Sequence, residues 1–206
     1  MRRIQARFLL LVLLAAFPPG PPAQAGSPDT VRDVIQAARA QIGRTVIYDG
    51  SYRRIAYPGG DVPLERGVCT DVLVRAFRAV GVDLQVLVHE DMQSAFSQYP
   101  KTWGLSRPDA NIDHRRVPNL AVFFRRHGIS LRPTKTPSDY IPGDIVTWML
   151  PSGYPHIGLV SDSWSPGHER PLVIHNIGRG TQEEDVLLTY HVTGHYRYFG
   201  QRRGSL

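Results

Sequence analysis

One cysteine and two histidines have settings that suggest nucleophilic chemistry. Cys69 follows a glycine turn and opens a segment whose apolar residues recur at three- and four-residue steps, which predicts a helix with Cys69 in its first turn. A thiol there lies near the positive end of the helix dipole, so we expect a lowered pKa and a reactive thiolate. His156 and His175 follow in later β-rich stretches. This combination is typical of an enzyme with a thiol nucleophile.

The two histidines have different predicted roles. His156 opens an apolar strand and is the predicted general base, while His175 lies on the next strand and is predicted to orient it. Neighbouring side chains on a strand point to opposite faces, so only one of His175 and Asn176 should reach His156, and we favour His175. The alternative is an inert cysteine with structural histidines, because free cysteine is among the most buried residue types.

The elements that must position these residues are helices first and strands second. Hydrophobic periodicity and turn residues predict helices at residues 27–43, 69–80, 84–96 and 117–127. Runs rich in β-branched and aromatic residues predict strands at residues 45–48, 144–149, 156–161, 172–177, 186–190 and 196–199. The order predicts an α+β domain in which N-terminal helices pack on an antiparallel β-sheet.

Other polar residues have a structural and a functional interpretation. Asp144 is expected to cap the turn before its strand. Asp71 lies in the first turn of the cysteine helix, where the dipole stabilises a carboxylate, and contact with a substrate amine is the alternative. The cluster at residues 113–116 fits a loop salt bridge or a substrate contact. The remaining histidines lack zinc-ligand spacing, so no metal or organic cofactor is expected.

The first 25 residues have the pattern of a secretory signal peptide. A basic start precedes an apolar run at residues 8–17 and an Ala-Gln-Ala sequence that predicts cleavage after Ala25. The run is too short to span a bilayer as a mature helix. We therefore expect a periplasmic or secreted protein, with residues 26–206 forming a single domain. An unpaired cysteine in an exported protein favours a chemical role, since it cannot form an internal disulfide.

The charge of the mature chain gives little support for a polyanionic partner. Three of the 24 Lys and Arg residues lie in the signal segment, which leaves 21 against 18 Asp and Glu. The arginines are spread along the chain and have no aromatic interleaving, so no nucleic-acid partner is expected. A solvated basic surface is the simplest interpretation, and attraction to an anionic cell envelope is the alternative.

Four segments together resemble the motif series of NlpC-type, papain-like cell-wall peptidases. They are Tyr57-Pro58-Gly59-Gly60, Cys69-Thr70-Asp71-Val72-Leu73-Val74, Pro142-Gly143-Asp144-Ile145-Val146 and His156-Ile157-Gly158-Leu159-Val160. Over nearly all of residues 26–206, the chain more closely resembles a bacterial family labelled as a domain of unknown function and grouped with those peptidases. The resemblance implies an NlpC-type fold.

The resemblance also implies roles for individual residues. Cys69 would be the nucleophile, His156 the base, His175 the third polar group, and Tyr57 a hydroxyl that contacts the oxyanion or substrate. Val68 stands where the peptidases have an aspartate associated with the free amine of the substrate. Asp71 is then the candidate to replace that aspartate.

These observations predict an exported thiol hydrolase that cleaves an amide bond in peptidoglycan stem peptides. Two alternatives stay open. The same cysteine and histidine could serve a lipid or acyl ester hydrolase or an acyltransferase. The chain could also be a non-catalytic module that binds the cell envelope and has a buried cysteine.

Overall fold

The helices follow the predicted periodicity. A computed structural model describes residues 28–167 and 169–199, so the predicted signal peptide lies outside the described residues. Four α-helices form within them: α1 Pro28–Arg39, α2 Cys69–Ala79, α3 Leu84–Ala95 and α4 Val117–His127. All four predicted helices are confirmed, with ends that differ by a few residues. Among the described residues, none of the helices has the length and apolar character needed to cross a membrane.

The strands form two sheets. Short strands β1 (Ile47–Tyr48) and β2 (Arg66–Gly67) pair in parallel ahead of α2. A larger sheet contains β3 Ile129–Leu131, β4 Ile145–Met149, β5 Pro155–Trp164, β6 Pro171–Asn176, β7 Thr181–Glu184 and β8 His191–Arg197. Its strand order is β3-β8-β4-β5-β6-β7, and every pairing is antiparallel. The α+β fold class is confirmed.

One predicted strand is wrong. Residues 186–190 form turns, and the strand of this region is the more polar β7 at the edge of the sheet. The misleading signal came from Leu187, which is fully buried in a core cluster that also contains Trp148 and Val173. Its carbonyl accepts a hydrogen bond from Trp148 Nε1 at 2.9 Å. Apolar character here reflects packing on a sheet face and not strand pairing.

The cysteine helix is held in place by its apolar face. Val72, Leu73 and Ala76 are fully buried and share one core cluster with Ile35 of α1 and Ile157 of β5. Burial of a large aliphatic side chain stabilises a fold by about 1.5–3 kcal/mol. The N-terminus of α2 is therefore fixed against the sheet region where β5 begins.

Asp144 has the structural role that its turn predicts. Its Oδ2 accepts a hydrogen bond from the backbone N–H of Ile141 at 3.0 Å. Its carboxylate also pairs with Arg197 at 2.7 Å and 2.9 Å, and with Nε2 of His195 at 2.6 Å. Asp144 thus fastens the turn before β4 to β8.

Candidate active site

Cys69 is the first residue of α2 and is only 3% exposed. Parallel pairing of β1 with β2 sets Tyr48 opposite Gly67, two residues before the cysteine. From the other side, Asn176 donates a hydrogen bond from Nδ2 to the Gly67 carbonyl at 3.1 Å. A β-carbon at Gly67 would lie 3.2 Å from Cβ of Asp71, so glycine allows the close approach of this turn to the helix. The position of the thiol is thus fixed by three segments of the chain.

Three hydrogen-bond donors lie near the sulfur of Cys69. The Tyr48 hydroxyl and the backbone N–H groups of Thr70 and Ile157 are within hydrogen-bonding reach of it. β5 pairs with β6 from Leu159 onward, so near its start the N–H of Ile157 can face the sulfur. Donors arranged in this way stabilise negative charge on a thiolate or on an oxyanion formed beside it.

The predicted lowering of the thiol pKa is wrong. Burial raises the pKa of Cys69 to about 12, and the nearby carboxylate of Asp71 adds to the rise, although the surrounding N–H and hydroxyl donors oppose it. A helix dipole contributes about 0.3–1 kcal/mol, less than one pKa unit, whereas full burial can shift a pKa by about 3–5 units. Cys69 is therefore a neutral thiol in the resting protein.

The raised pKa predicts how alkylation of Cys69 depends on pH. We expect the rate with iodoacetamide to rise about tenfold per pH unit from pH 7 to pH 10, because the thiolate reacts and its fraction still increases below a pKa near 12. The unfolded protein in denaturant is the control and should titrate near the ordinary cysteine value of about 8.5. A rate that is already constant at neutral pH would show a standing thiolate and contradict this expectation.

His156 and His175 form a buried pair on β5 and β6. Nε2 of His156 lies 2.8 Å from Nδ1 of His175, and Nε2 of His175 lies 3.0 Å from Oε2 of Glu184 on β7. A β-carbon at Gly158 would lie 2.6 Å from Cγ1 of Val173, so glycine permits the strand approach that brings the two rings together. The neighbouring Asn176 has its side chain on the other face, as strand alternation predicts.

The chain of hydrogen bonds determines which nitrogen of His156 carries a proton. The carboxylate of Glu184 can only accept, so Nε2 of His175 donates to it. Burial lowers the pKa of His175, although Glu184 opposes the shift, so its ring is neutral and its Nδ1 must accept. The donor to that Nδ1 is Nε2–H of His156. Burial and the neighbouring His175 lower the pKa of His156 to about 3, which leaves Nδ1 of its neutral ring unprotonated.

Cys69 and His156 line one cavity of about 550 Å³. The described structure contains no hydrogen bond between the sulfur and the imidazole, whose Nε2 is used by His175. Catalytic hydrogen bonds are often long or poorly aligned before substrate binds. The free nitrogen Nδ1 is the one available to take a proton from the thiol.

Tyr57 is not at the site that the resemblance implies. Its ring packs edge-on against His89 of α3, with ring centroids 5.1 Å apart, and it is not among the residues that line the cavity. The hydroxyl beside the sulfur belongs to Tyr48, nine positions earlier in the chain. The Tyr57-Pro58-Gly59-Gly60 segment does not reach the sulfur because the backbone N–H groups of Gly59 and Gly60 donate to side chains of α3 and its N-cap.

The contacts of Asp71 lie within the protein, and Asp71 is not among the residues that line the cavity beside Cys69. It is 2% exposed and accepts a hydrogen bond from the N–H of Val68 at 2.7 Å. Its carboxylate forms two hydrogen bonds with Arg115, at 2.8 Å and 2.9 Å. Arg115 also donates to the carbonyls of Asp49 and Ser51, so the pair ties the loop after β1 to the cysteine helix. Both oxygens of the buried carboxylate therefore accept hydrogen bonds from within the protein.

Sequence reasoning missed two residues of the site, Tyr48 and Glu184. Tyr48 had one local signal, since it ends the short strand predicted at residues 45–48. Glu184 lies in the polar run Thr181–Glu184, which has no strand signature. Among the described residues, no group of three or more histidine, cysteine, aspartate or glutamate side chains is arranged to hold a metal ion.

The fold and the site define an α+β protein with a helix N-terminal cysteine and a buried histidine pair at one cavity. Residues 35–198 match the family described as "Domain of unknown function (DUF1287)", and the chain belongs to that family. It is 52% identical over 204 residues to "Uncharacterized protein YijF" of Escherichia coli (strain K12), which covers 95% of this chain and 99% of the relative. The predicted membership of a domain-of-unknown-function family is confirmed.

Two solved structures of NlpC proteins are similar to the chain. NlpC1 from Trichomonas vaginalis is 18% identical with a TM-score of 0.44, over 84% of this chain and 45% of that one. NlpC2 from the same organism is 16% identical with a TM-score of 0.39, over 81% of this chain and 47% of that one. The chain thus matches less than half of either structure.

Proposed function

We propose that the protein is an exported thiol hydrolase that cleaves amide bonds in peptidoglycan stem peptides. The observation that carries the proposal is the hydrogen-bonded series His156–His175–Glu184, which ends at the cavity that contains Cys69. A buried histidine pair with a fixed tautomer is what a general base requires. Export is proposed from the signal-like pattern of residues 1–25, and the cell envelope is the corresponding location.

In the first step, the thiol and the imidazole start as neutral groups. Nδ1 of His156 takes the proton of Cys69 while the sulfur attacks the carbonyl carbon of the scissile amide. The negative charge that develops on the carbonyl oxygen receives hydrogen bonds from donors near the sulfur, with the Tyr48 hydroxyl as the side-chain donor. Proton transfer accompanies attack because neither resting group is ionised at neutral pH.

In the second step, the imidazolium of His156 returns the proton to the leaving amine. The C–N bond breaks and a thioester remains on Cys69. A water molecule then gives a proton to Nδ1 of His156 and attacks the thioester carbonyl. The C–S bond breaks, the acid is released, and His156 returns the proton to the sulfur of Cys69. His175 and Glu184 keep the His156 ring oriented through both proton transfers.

A second candidate function is hydrolysis or transfer of an acyl ester by the same cysteine and histidine. The observation that favours it is the apolar character of much of the cavity wall, which includes Val68, Ile112, Val117, Leu150 and Ile177. Such a surface is suited to an acyl chain. The chemical steps are the same, with an alcohol as the leaving group in place of an amine.

Digestion of purified sacculi tests the proposal. Protein spanning residues 26–206 should release soluble muropeptide fragments. The Cys69→Ala variant should release none, although its melting temperature should match that of the protein with Cys69 intact. Equal release by the two proteins would overturn the proposal. Turnover of an acyl ester but not of sacculi would support the second candidate. Wall binding by both proteins without any release would identify a non-catalytic binding module.

A further inference from the structure

The cavity beside Cys69 has a one-sided charge. Among the described residues that line it, Arg115 and Arg116 are cationic, and none is an aspartate or glutamate. A peptide with a free terminal ammonium would meet two guanidinium groups and no partner of opposite charge. A carboxylate on the substrate would instead be attracted, and strongly so in a cavity with apolar walls.

The charge of Arg115 is already compensated within the protein. Its guanidinium binds both carboxylate oxygens of Asp71 and two backbone carbonyls, and its side chain is 2% exposed. Four of the five guanidinium N–H donors of Arg115 are therefore used within the protein. Attraction of an anion into the cavity falls to its neighbour in sequence.

Arg116 is only weakly paired. Its Nη1 lies 3.5 Å from Oδ1 of Asp113, at the limit of a hydrogen bond. Burial lowers the pKa of Arg116, although the carboxylates of Asp113 and Asp109 both favour its charged form. Arg116 is thus a cation at the cavity wall whose one hydrogen bond to a carboxylate is long, so its other N–H groups can serve a ligand.

The orientation of Arg116 leaves its donors available. The guanidinium carbon lies 4.1 Å from the centroid of the Trp103 ring, which occupies one face of the group. Guanidinium N–H groups point outward in the plane of the group, and stacking on an aromatic ring does not use them. A planar carboxylate can bind such an edge through two parallel hydrogen bonds.

We propose that Arg116, stacked on Trp103, receives a carboxylate of the substrate, and that the cavity accepts a peptide whose amino terminus is blocked. This inference rests on the proposed peptidase function and adds a charge requirement to it. A stem peptide still attached to its glycan strand through an amide has such a blocked terminus. Recognition therefore differs from that of peptidases that bind a free terminal amine through an aspartate.

Binding of one synthetic stem tripeptide in three forms tests the proposal. The forms are acetylated with free carboxylates, acetylated with every carboxylate amidated, and non-acetylated with free carboxylates. Titration calorimetry on the Cys69→Ala protein measures binding without turnover. We expect the acetylated carboxylate form to bind about tenfold or more tightly than the amidated form, since a charge-assisted hydrogen bond is lost on amidation. The free-amine form should bind more weakly than its acetylated counterpart.

Two matched variants locate the effect. Arg116→Gln should reduce the preference for the carboxylate form to near unity, whereas Arg125→Gln, which removes an exposed charge from α4, should retain it. Equal binding of the carboxylate and amidated forms by the Cys69→Ala protein, or preference for the free-amine form, would overturn the inference. Because the readout is binding, it is independent of whether sacculi are cleaved. A charge preference without any cleavage by the protein with Cys69 intact would refute the peptidase function and leave the Arg116 site standing.

Discussion

Replacement of Asp71 by alanine is expected to lower the free energy of unfolding by about 3–5 kcal/mol, because it leaves a buried arginine without its counter-ion. The side chain of Arg115, which is 2% exposed, would stay buried without an ion-pair partner, and the N–H of Val68 would lose its acceptor. Domains of this kind have a total stability of about 5–15 kcal/mol, so the change removes a large share of it. Urea unfolding followed by circular dichroism measures the effect.

Two further variants test this explanation of the loss. Asp71→Ala combined with Arg115→Met should recover part of the stability, since no uncompensated charge stays buried. Asp29→Ala is the control: it removes a carboxylate from an exposed ion pair with Arg32, and it should leave the midpoint of urea unfolding almost unchanged. A folded Asp71→Ala protein with unchanged stability and a lost affinity for peptide amines would contradict the structural role and restore the substrate role.

Replacement of Glu184 by glutamine is expected to lower kcat/KM by about 10²–10⁴ with little change in fold, because it permits the wrong tautomer of the base. The glutamine amide can donate to Nε2 of His175, which then carries its proton on Nδ1. Nε2 of His156 would have to accept from that Nδ1–H, and the proton of His156 would move to its own Nδ1. The nitrogen available to the thiol would no longer be a base.

The matched control is Glu183→Gln, which makes the same chemical change one residue earlier on β7. Glu183 binds Arg39 at 2.8 Å and 3.0 Å, so its loss should affect stability more than catalysis. ¹⁵N chemical shifts of the His156 ring distinguish the tautomers directly. If Glu184→Gln kept both the wild-type rate and the Nε2–H tautomer, Glu184 would have no positioning role.

The sequence predicted the elements that depend on local patterns. The spacing of Val72, Leu73 and Ala76 specifies one buried face of a helix, and the structure places that face in the core. Strand alternation was enough to choose His175 over Asn176 as the neighbour of His156, since adjacent side chains on a strand face opposite sides. The prediction of a strand at residues 186–190 failed because the apolar side chain of Leu187 packs on a face of the sheet while its backbone does not pair with a strand.

The sequence by itself determined the chemical identity of the candidate nucleophile and base, because residue type and local periodicity belong to short segments. The tertiary structure alone decided the protonation of these residues and which side chains contact them. Burial, not position on the helix, sets the pKa of Cys69. The carboxylate of Asp71 forms an ion pair with Arg115, which lies 44 residues later in the chain. The same holds for Tyr48 beside the sulfur and for Glu184 behind His175. Burial and ion pairing depend on partners that are distant in the chain, so no local pattern encodes them.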